Sequence, residues 1–533
     1  MRRILLGTAA VVALTSAAFA QDEKTFSYAF QGELKSLDQY TLNETFSLGT
    51  LGNVYEGLIK RDGDLNIIPG LAESWEIVDD TTWRFHLRKG VKFHNGNDFT
   101  AEDVVFSADR VRSQGSDLTT RIPKDAKFEA VDDYTVDVHL SSPNPILHYE
   151  WGTWGIMDKD WAEENDAVAV TSATSAGEDN QNYAALHANG TGPFKIVSHE
   201  AGVQTVFEAN KDWWDWDNRD FNIDKVVFTP IAQDATRVNA LLSGQIDMAY
   251  PIPVQDIPRV DSNPGTDVLT GPELRTIFLG FDQMRDELKS SSVKGKNPFK
   301  DVRVRKAFYQ AIDIEAIKKK IMRDLSSPAA LMIAPQLYSK SDQFKRYPYD
   351  PKAAKALLEE AGYGDGFTVM MDCPNDRYVN DEQICQAISA MLAKIGITIE
   401  PNFQPKTQYF AKVLASNKYD TSFYLLGWTP GSLDSWNVLY NLNNCRNEDG
   451  TEGGAFNLGG YCNKDLDALT AKILTENDPD TRDELIGDAF TIIHDDVAHI
   501  PLHQQGLAWG KSTNIDLVQR ADNELMFYHI KKN

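Results

Sequence analysis

Between Asp80 and Val111 the chain reads DDTTWRFHLRKGVKFHNGNDFTAEDVVFSADRV, and two hydrophobic periods follow one another there. Trp83, Phe85 and Leu87 alternate with Arg84, His86 and Arg88, the period of a half-buried strand. Asn95-Gly96-Asn97-Asp98 breaks the alternation as a turn. Thr100 then stands as an N-cap with Asp103 at capping-box spacing, and Val104, Val105, Ala108 and Val111 form the apolar stripe of a helix. The same two periods recur downstream. Tyr134, Val136, Val138 and Leu140 alternate with Thr135, Asp137 and His139 as a strand, and Arg237 to Leu242 reads as a helix that Gly244 ends before another strand. Asp301 opens an amphipathic helix running through Phe308. Asp350-Pro351 starts a further one, with Ala354, Leu357, Leu358 and Ala361 on one face and Gly362 as its stop. Gly396 leads into a strand at Ile397-Thr398-Ile399. Strand and helix patterns alternate without repeats, low-complexity tracts or long linkers, which predicts an α/β or α+β class with mixed sheets.

The ends and the composition narrow the setting. Arg2 and Arg3, the apolar run Ile4 to Leu14, and Ala18-Phe19-Ala20 read as a secretory signal peptide over residues 1–20, cleaved after Ala20. The run is too short for a membrane anchor and lacks a charged downstream flank. No cysteine follows the cleavage site, so a lipid anchor is not expected; a soluble secreted protein points to a Gram-negative periplasm. The 533 residues leave room for two or three packed domains after that removal, and a net charge of −25 argues against nucleic acid or an anionic membrane as partner. Four cysteines remain, and an even, sparse set in an oxidising compartment reads as disulfides. Three pairings are possible; proximity favours Cys373–Cys385 and Cys445–Cys462, and the gaps lack the C-x₂-C spacing of a zinc site.

The wording of the first segment, W-x-F-x-L-R-x-G-V-x-F-H-x-G followed by F-T-A-E-D-V-V-F-S, closely resembles the hallmark of the family 5 extracellular solute-binding proteins, receptors of ABC importers for peptides, nickel or oligosaccharides. Thr191-Gly192-Pro193-Phe194, Asn210 to Trp214, Arg237 to Asp247 and Asp301 to Phe308 resemble further blocks of that family, and the Cys445–Cys462 pair resembles a disulfide loop of its dipeptide receptors. The resemblance covers roughly residues 26–510. It implies a two-lobed periplasmic binding protein fold with mixed sheets, two hinge strands and an extra subdomain. The first lobe would comprise residues 21–59, 190–273 and 501–533, with 60–189 packed on it as the subdomain, and the second lobe residues 274–500. The crossings would lie near Leu274 to Phe278 and Ile500-Pro501-Leu502.

The resemblance also supplies candidate ligand-binding residues. Leu426 to Trp436 is similar to a cleft-lining block in which Gly427, Trp428 and Asp434 match, with Trp436 at its end. Gly431 stands where the peptide receptors carry an aspartate for the ligand's α-amino group, and Ser435 replaces a proline. A buried ammonium then needs another carboxylate, for which Asp434 and Glu33 are the candidates; Glu33 lies in a segment resembling the family's first cleft loop. Arg377, ahead of a helix, is the candidate partner for a ligand carboxylate, since a guanidinium suits planar bidentate recognition.

Other chemistry is thinly represented. Trp151, Trp154, Trp213, Trp214 and Trp216 admit a sugar-stacking reading, with core packing as the alternative. His494, His499 and His503 flank Ile500-Pro501-Leu502, an extended segment on which they would not converge as metal ligands. No H-E-x-x-H, G-x-S-x-G or P-loop motif is present. The expectation is a non-enzymatic, monomeric receptor without cofactor or metal. It would capture a short peptide or a peptide-like amino-acid conjugate and deliver it to a membrane permease. An oligosaccharide receptor is the alternative and a periplasmic hydrolase a remote one.

Overall fold

The computed structural model describes residues 23–171, 181–414, 418–446 and 453–533. The signal-peptide assignment to residues 1–20 falls outside them. None of the described helices is long and apolar enough to cross a membrane.

The strand, turn and helix of the opening segment fold where their periods place them. Thr82–Leu87 is a strand with Trp83, Phe85 and Leu87 buried, Gly96 takes a positive φ of 99° in the turn, and Ala101–Val111 is the helix. The Asp103 carboxylate accepts the backbone N–H of Thr100 at 2.8 Å, satisfying a donor that a helix start leaves free. The strand belongs to a four-stranded antiparallel sheet with Ala72–Asp79, Lys127–Asp132 and Thr135–His139. From the last turn of the helix Arg110 donates to both oxygens of Asp38, at 2.9 and 2.5 Å, with both side chains wholly inaccessible. That pair ties the loop leading to Asn43 and Glu44, two site residues, to the subdomain.

An eleven-stranded mixed sheet forms the frame, and its spine is the antiparallel pair Thr266–Phe281 and His499–Ser512. At one end His499–Ser512 pairs with Met248–Tyr250, which leads to Thr25–Phe30 and Lys225–Pro230 in parallel. At the other end Thr266–Phe281 pairs with Phe423–Trp428, beyond which Phe367–Pro374 and Ile397–Gln404 run parallel. The parallel pair needs a crossover, supplied by helix Asp381–Ala393. Cys373–Cys385 joins that helix to its strand, and Cys445–Cys462 closes the second pair.

The ladder of the spine is irregular between Ile277 and Phe278 and breaks more widely between Pro272 and Thr276. Pro272 lies opposite Gly506 and Thr276 opposite Gln504, so Glu273, Leu274 and Arg275 face Gln505. Ile500 and Pro501, by contrast, sit opposite Leu279 and Phe278, inside the second half of the ladder. Separate cores flank the break. One gathers residues from Phe26 to Phe228 with Leu507 to Ile530, and others gather Ile277 to Leu502. The fold is α/β and two-lobed, with a mixed sheet continuous through both lobes.

Candidate functional site

A cleft of about 900 Å³, measured out to its open mouth, lies where the lobes meet. Asn43, Thr45 and Leu48 enter it from the start of helix Thr45–Leu51 and the loop before it. Arg61, Arg121 and Thr153 come from the subdomain side, Arg275 from the break in the spine, and Arg520, Asp522 and Glu524 from the C-terminal segment. The facing wall is Arg377, Tyr378, and Leu426 to Gly431 with Leu433.

The lining is cationic in a chain whose net charge is −25. Three of the five arginines are paired with a carboxylate in place. Arg275 donates to Glu273 at 2.8 Å and to Thr45 at 2.8 Å, and Arg520 pairs with Asp522. Arg121 is held more loosely by Glu150 at 3.3 Å and Asn43 at 3.2 Å. Arg61 has no carboxylate partner among the described residues; it donates to the carbonyls of Leu65, Tyr149 and Ser432 at 2.9, 3.2 and 2.9 Å. The Arg377 guanidinium makes no hydrogen bond or ion pair with a described residue, and its charge lies 5.1 Å from the Tyr378 ring. The Nε–H groups of Arg61, Arg121 and Arg377, and the hydroxyls of Thr153 and Thr429, are buried without a partner among the described residues. A buried donor left unmatched costs about 1–3 kcal/mol, so a wall carrying several is built to be completed by an acceptor. Glu524 adds little negative charge: burial and the neighbouring Asp522 push its carboxyl up to about 8, against the pull of Arg520, Arg61 and Arg121.

Polar bonds hold the lobes together across the cleft. Lys406 donates to Glu44 at 2.9 Å, Asn437 to both oxygens of Glu150 at 2.9 and 3.0 Å, and Arg61 to the Ser432 carbonyl. Burial alone would raise Glu44, but the charges of Lys406 and Arg377 and hydrogen bonds from Lys406 and Ser47 bring it down to about 2. Trp428 Nε1 donates to Asn437 Oδ1 at 2.9 Å and so joins the Glu150 network, while its ring packs on Phe456 at 4.8 Å. The arrangement is a closed one.

Of the residues singled out in the sequence, Arg377, Gly427 and Trp428 line the cleft. Glu33 lies in an adjoining chamber with Leu42, Lys406, Phe410 and Phe456, paired with Lys35 at 3.5 Å. Asp434 is not in the lining, and the amine-anchor role expected for it does not fit its bonds. Arg482 takes both oxygens at 2.9 and 2.7 Å, and the same carboxylate caps helix Ser435–Val438 through the Trp436 N–H at 2.8 Å. Trp436 is also outside the lining, stacked on Tyr440 at 4.6 Å. The tryptophans read as sugar platforms are structural: Trp151 and Trp154 are fully buried, and Trp213 and Trp214 donate to Glu56 at 3.3 and 2.9 Å. His499 and His503 are buried on the spine, where desolvation pushes them down to about 4 and about 3, and His494 lies on helix Pro479–Asp495. Arg61, Arg121, Arg275, Arg520 and Glu524 were not anticipated. The only signal for them was basic residues in an acidic chain, and their convergence is a property of the fold.

Residues 66–450 match the model of the bacterial extracellular solute-binding proteins, family 5. The chain belongs to that family. Glutathione-binding protein GsiB of Shigella flexneri is 27% identical over 524 residues, 96% of this chain and 94% of its own. Among solved structures, the family 5 chain resembles the ABC transporter-associated periplasmic binding protein DppA of Helicobacter pylori in complex with the peptide STSA. The TM-score is 0.82 at 25% identity, covering 95% of this chain and 98% of that one. AgaA of A. tumefaciens R10, in complex with agropinic acid, superposes with a TM-score of 0.80 at 22% identity over 96% and 99% of the two chains, which shows the shared fold. The family 5 chain is thus a solute-binding protein.

Proposed function

We infer that this protein is the periplasmic receptor of an ABC importer, monomeric and without catalytic chemistry of its own. It takes up a short peptide or a peptide-like amino-acid conjugate. The lobes divide as residues 21–59, 190–273 and 501–533 against 274–500, with 60–189 as the additional subdomain; they rotate about the paired strands at Glu273–Arg275 and Gln504–Gly506. Closure traps solute at their interface, and the closed form docks on a membrane permease whose partner ATPase supplies the energy.

The observation that carries this reading is Arg377. It is a guanidinium on the cleft wall with no hydrogen bond or ion pair to a carboxylate among the described residues, Glu44 being bonded to Lys406 instead, and it shares the lining with Thr429 and Trp428, which offer a hydroxyl and an aromatic face. Such a site recognises a carboxylate and tolerates variation elsewhere through water-filled contacts. GsiB, DppA and AgaA are named for, or captured with, small amino-acid-derived solutes, which supports the same class. The test is calorimetric titration of the ligand-free protein with di- to tetrapeptides, glutathione and N-carboxyalkyl amino acids, with each solute analysed afterwards. Binding with recovery of intact solute is expected. Consumption of the solute, or binding confined to neutral oligosaccharides, would overturn the reading.

A further inference from the structure

The loop after strand Phe423–Trp428 passes directly over Arg121. A Cβ at Gly431 would stand 2.6 Å from Arg121 Nη1 and 2.9 Å from its Cζ, so the missing side chain is what admits the guanidinium to the cleft at that point. The backbone there does not demand glycine, since Gly431 is not among the residues with positive φ; the close approach does. Arg61 reaches the same loop through the Ser432 carbonyl at 2.9 Å. Both arginines keep a buried Nε–H without a described partner, as do the hydroxyls of Thr153 and Thr429 in the same lining. Arg377 is a second cationic point on the other lobe. The acids in this lining are Asp522, already bonded to Arg520, and Glu524, whose carboxyl is held toward its neutral form; behind the lining Glu150 holds Arg121 at 3.3 Å and shares itself with Asn437, and Glu44, bonded to Lys406, lies within the field of Arg377.

Guanidinium Nε–H groups left unmatched among the described residues, at two places in one cleft, point to the charge of what completes them. We propose that the solute carries at least two anionic groups, one taken by Arg377 and one by the Arg61–Arg121 pair at Gly431. The receptor would then select small amino-acid-derived diacids over solutes that present an ammonium at that point. This rests on the reading of the protein as a receptor for amino-acid-derived solutes and names the class within it.

The test is retention from a defined pool: random di- to tetrapeptides with N-carboxyalkyl amino acids, offered to the ligand-free protein and identified by mass spectrometry after denaturation. Gly431→Asp would set a carboxylate against Arg121, whose flexible end can yield. Gly431→Ala adds the same crowding without charge. Unaltered protein is expected to enrich solutes with two or more carboxylates at least about tenfold over their mono-amides. Gly431→Asp should lower affinity for the best diacid by about a hundredfold, well beyond Gly431→Ala, with the ligand-free unfolding temperature unchanged. Retention without charge bias, or with a bias toward basic or mono-acidic solutes, would overturn the proposal and leave the receptor reading standing. No retention from the pool would overturn both. Should Gly431→Asp fail to fold, the charge bias of the unaltered protein alone decides.

Discussion

Arg110 and Arg377 are both set into the structure near the first cleft loop, and they are treated in opposite ways. Arg110 donates to both oxygens of Asp38 and to the Ala167 carbonyl at 3.1 Å, in a place no solvent reaches. Arg377 stands half-buried on the cleft wall with its Nε–H unmatched among the described residues. A buried cation that has its carboxylate holds elements together; one that lacks it waits for an anion from outside. The contrast separates scaffold from site more sharply than burial or residue type does, and each of the following measurements bears on it.

The largest effect is expected on the scaffold side. Arg110→Ala would strand the Asp38 carboxylate in a dry interior and should cost about 3–5 kcal/mol of stability, read by denaturant unfolding. A loss below about 1 kcal/mol, the scale of an exposed pair, would remove Arg110 from the scaffold. On the site side, Arg377→Ala should leave unfolding unchanged and weaken binding of a carboxylate-bearing solute by about ten- to a hundredfold, the worth of a charge-assisted hydrogen bond. Equal affinities in calorimetry would place the anion elsewhere.

Glu44 and Glu524 extend the comparison to acids of the cleft and its adjoining chamber. Glu44 is held down to about 2, so its contribution is present above the ordinary carboxylate value of 4.5 and is lost as pH falls toward 2. Glu44→Gln should weaken solute binding several-fold at neutral pH by loosening the bond to Lys406, and remove that acid limb from the stability profile. Glu524 is pushed up to about 8, so its contribution is present below 4.5 and fades as pH rises through 8. Unfolding temperatures between pH 5 and pH 9 should fall less in Glu524→Gln than in the unaltered protein; parallel curves would show that Glu524 ionises normally. The smallest change expected is for Trp428→Phe, which keeps a ring against Phe456 but loses the bond to Asn437, costing about 1 kcal/mol or less in binding.

What the chain disclosed beforehand follows the range of the interactions involved. The strand at Thr82–Leu87, the helix at Ala101–Val111 and the helix at Pro351–Glu360 were legible because their periods and caps lie within a dozen residues of one another. Both disulfides joined near neighbours in sequence and were legible for the same reason. The register of the two long paired strands was not legible, because it is fixed by contacts far away in the chain. The Leu426 to Trp436 block pointed to the right wall, yet resemblance could not tell a cleft residue such as Trp428 from a helix cap such as Asp434, a few positions along. The arginine wall was illegible. Arg61, Arg121, Arg275, Arg377 and Arg520 come from five separate segments, and apart from Arg377, which stood out ahead of its helix, each alone reads as an ordinary surface cation.

The most direct test of a cleft completed by an anionic solute is to identify what the protein carries. Material taken natively from its own cells would be denatured and the released solute analysed by mass spectrometry. An amino-acid-derived molecule bearing carboxylates is the result expected. A neutral sugar, or a basic solute without a carboxylate, would contradict the account.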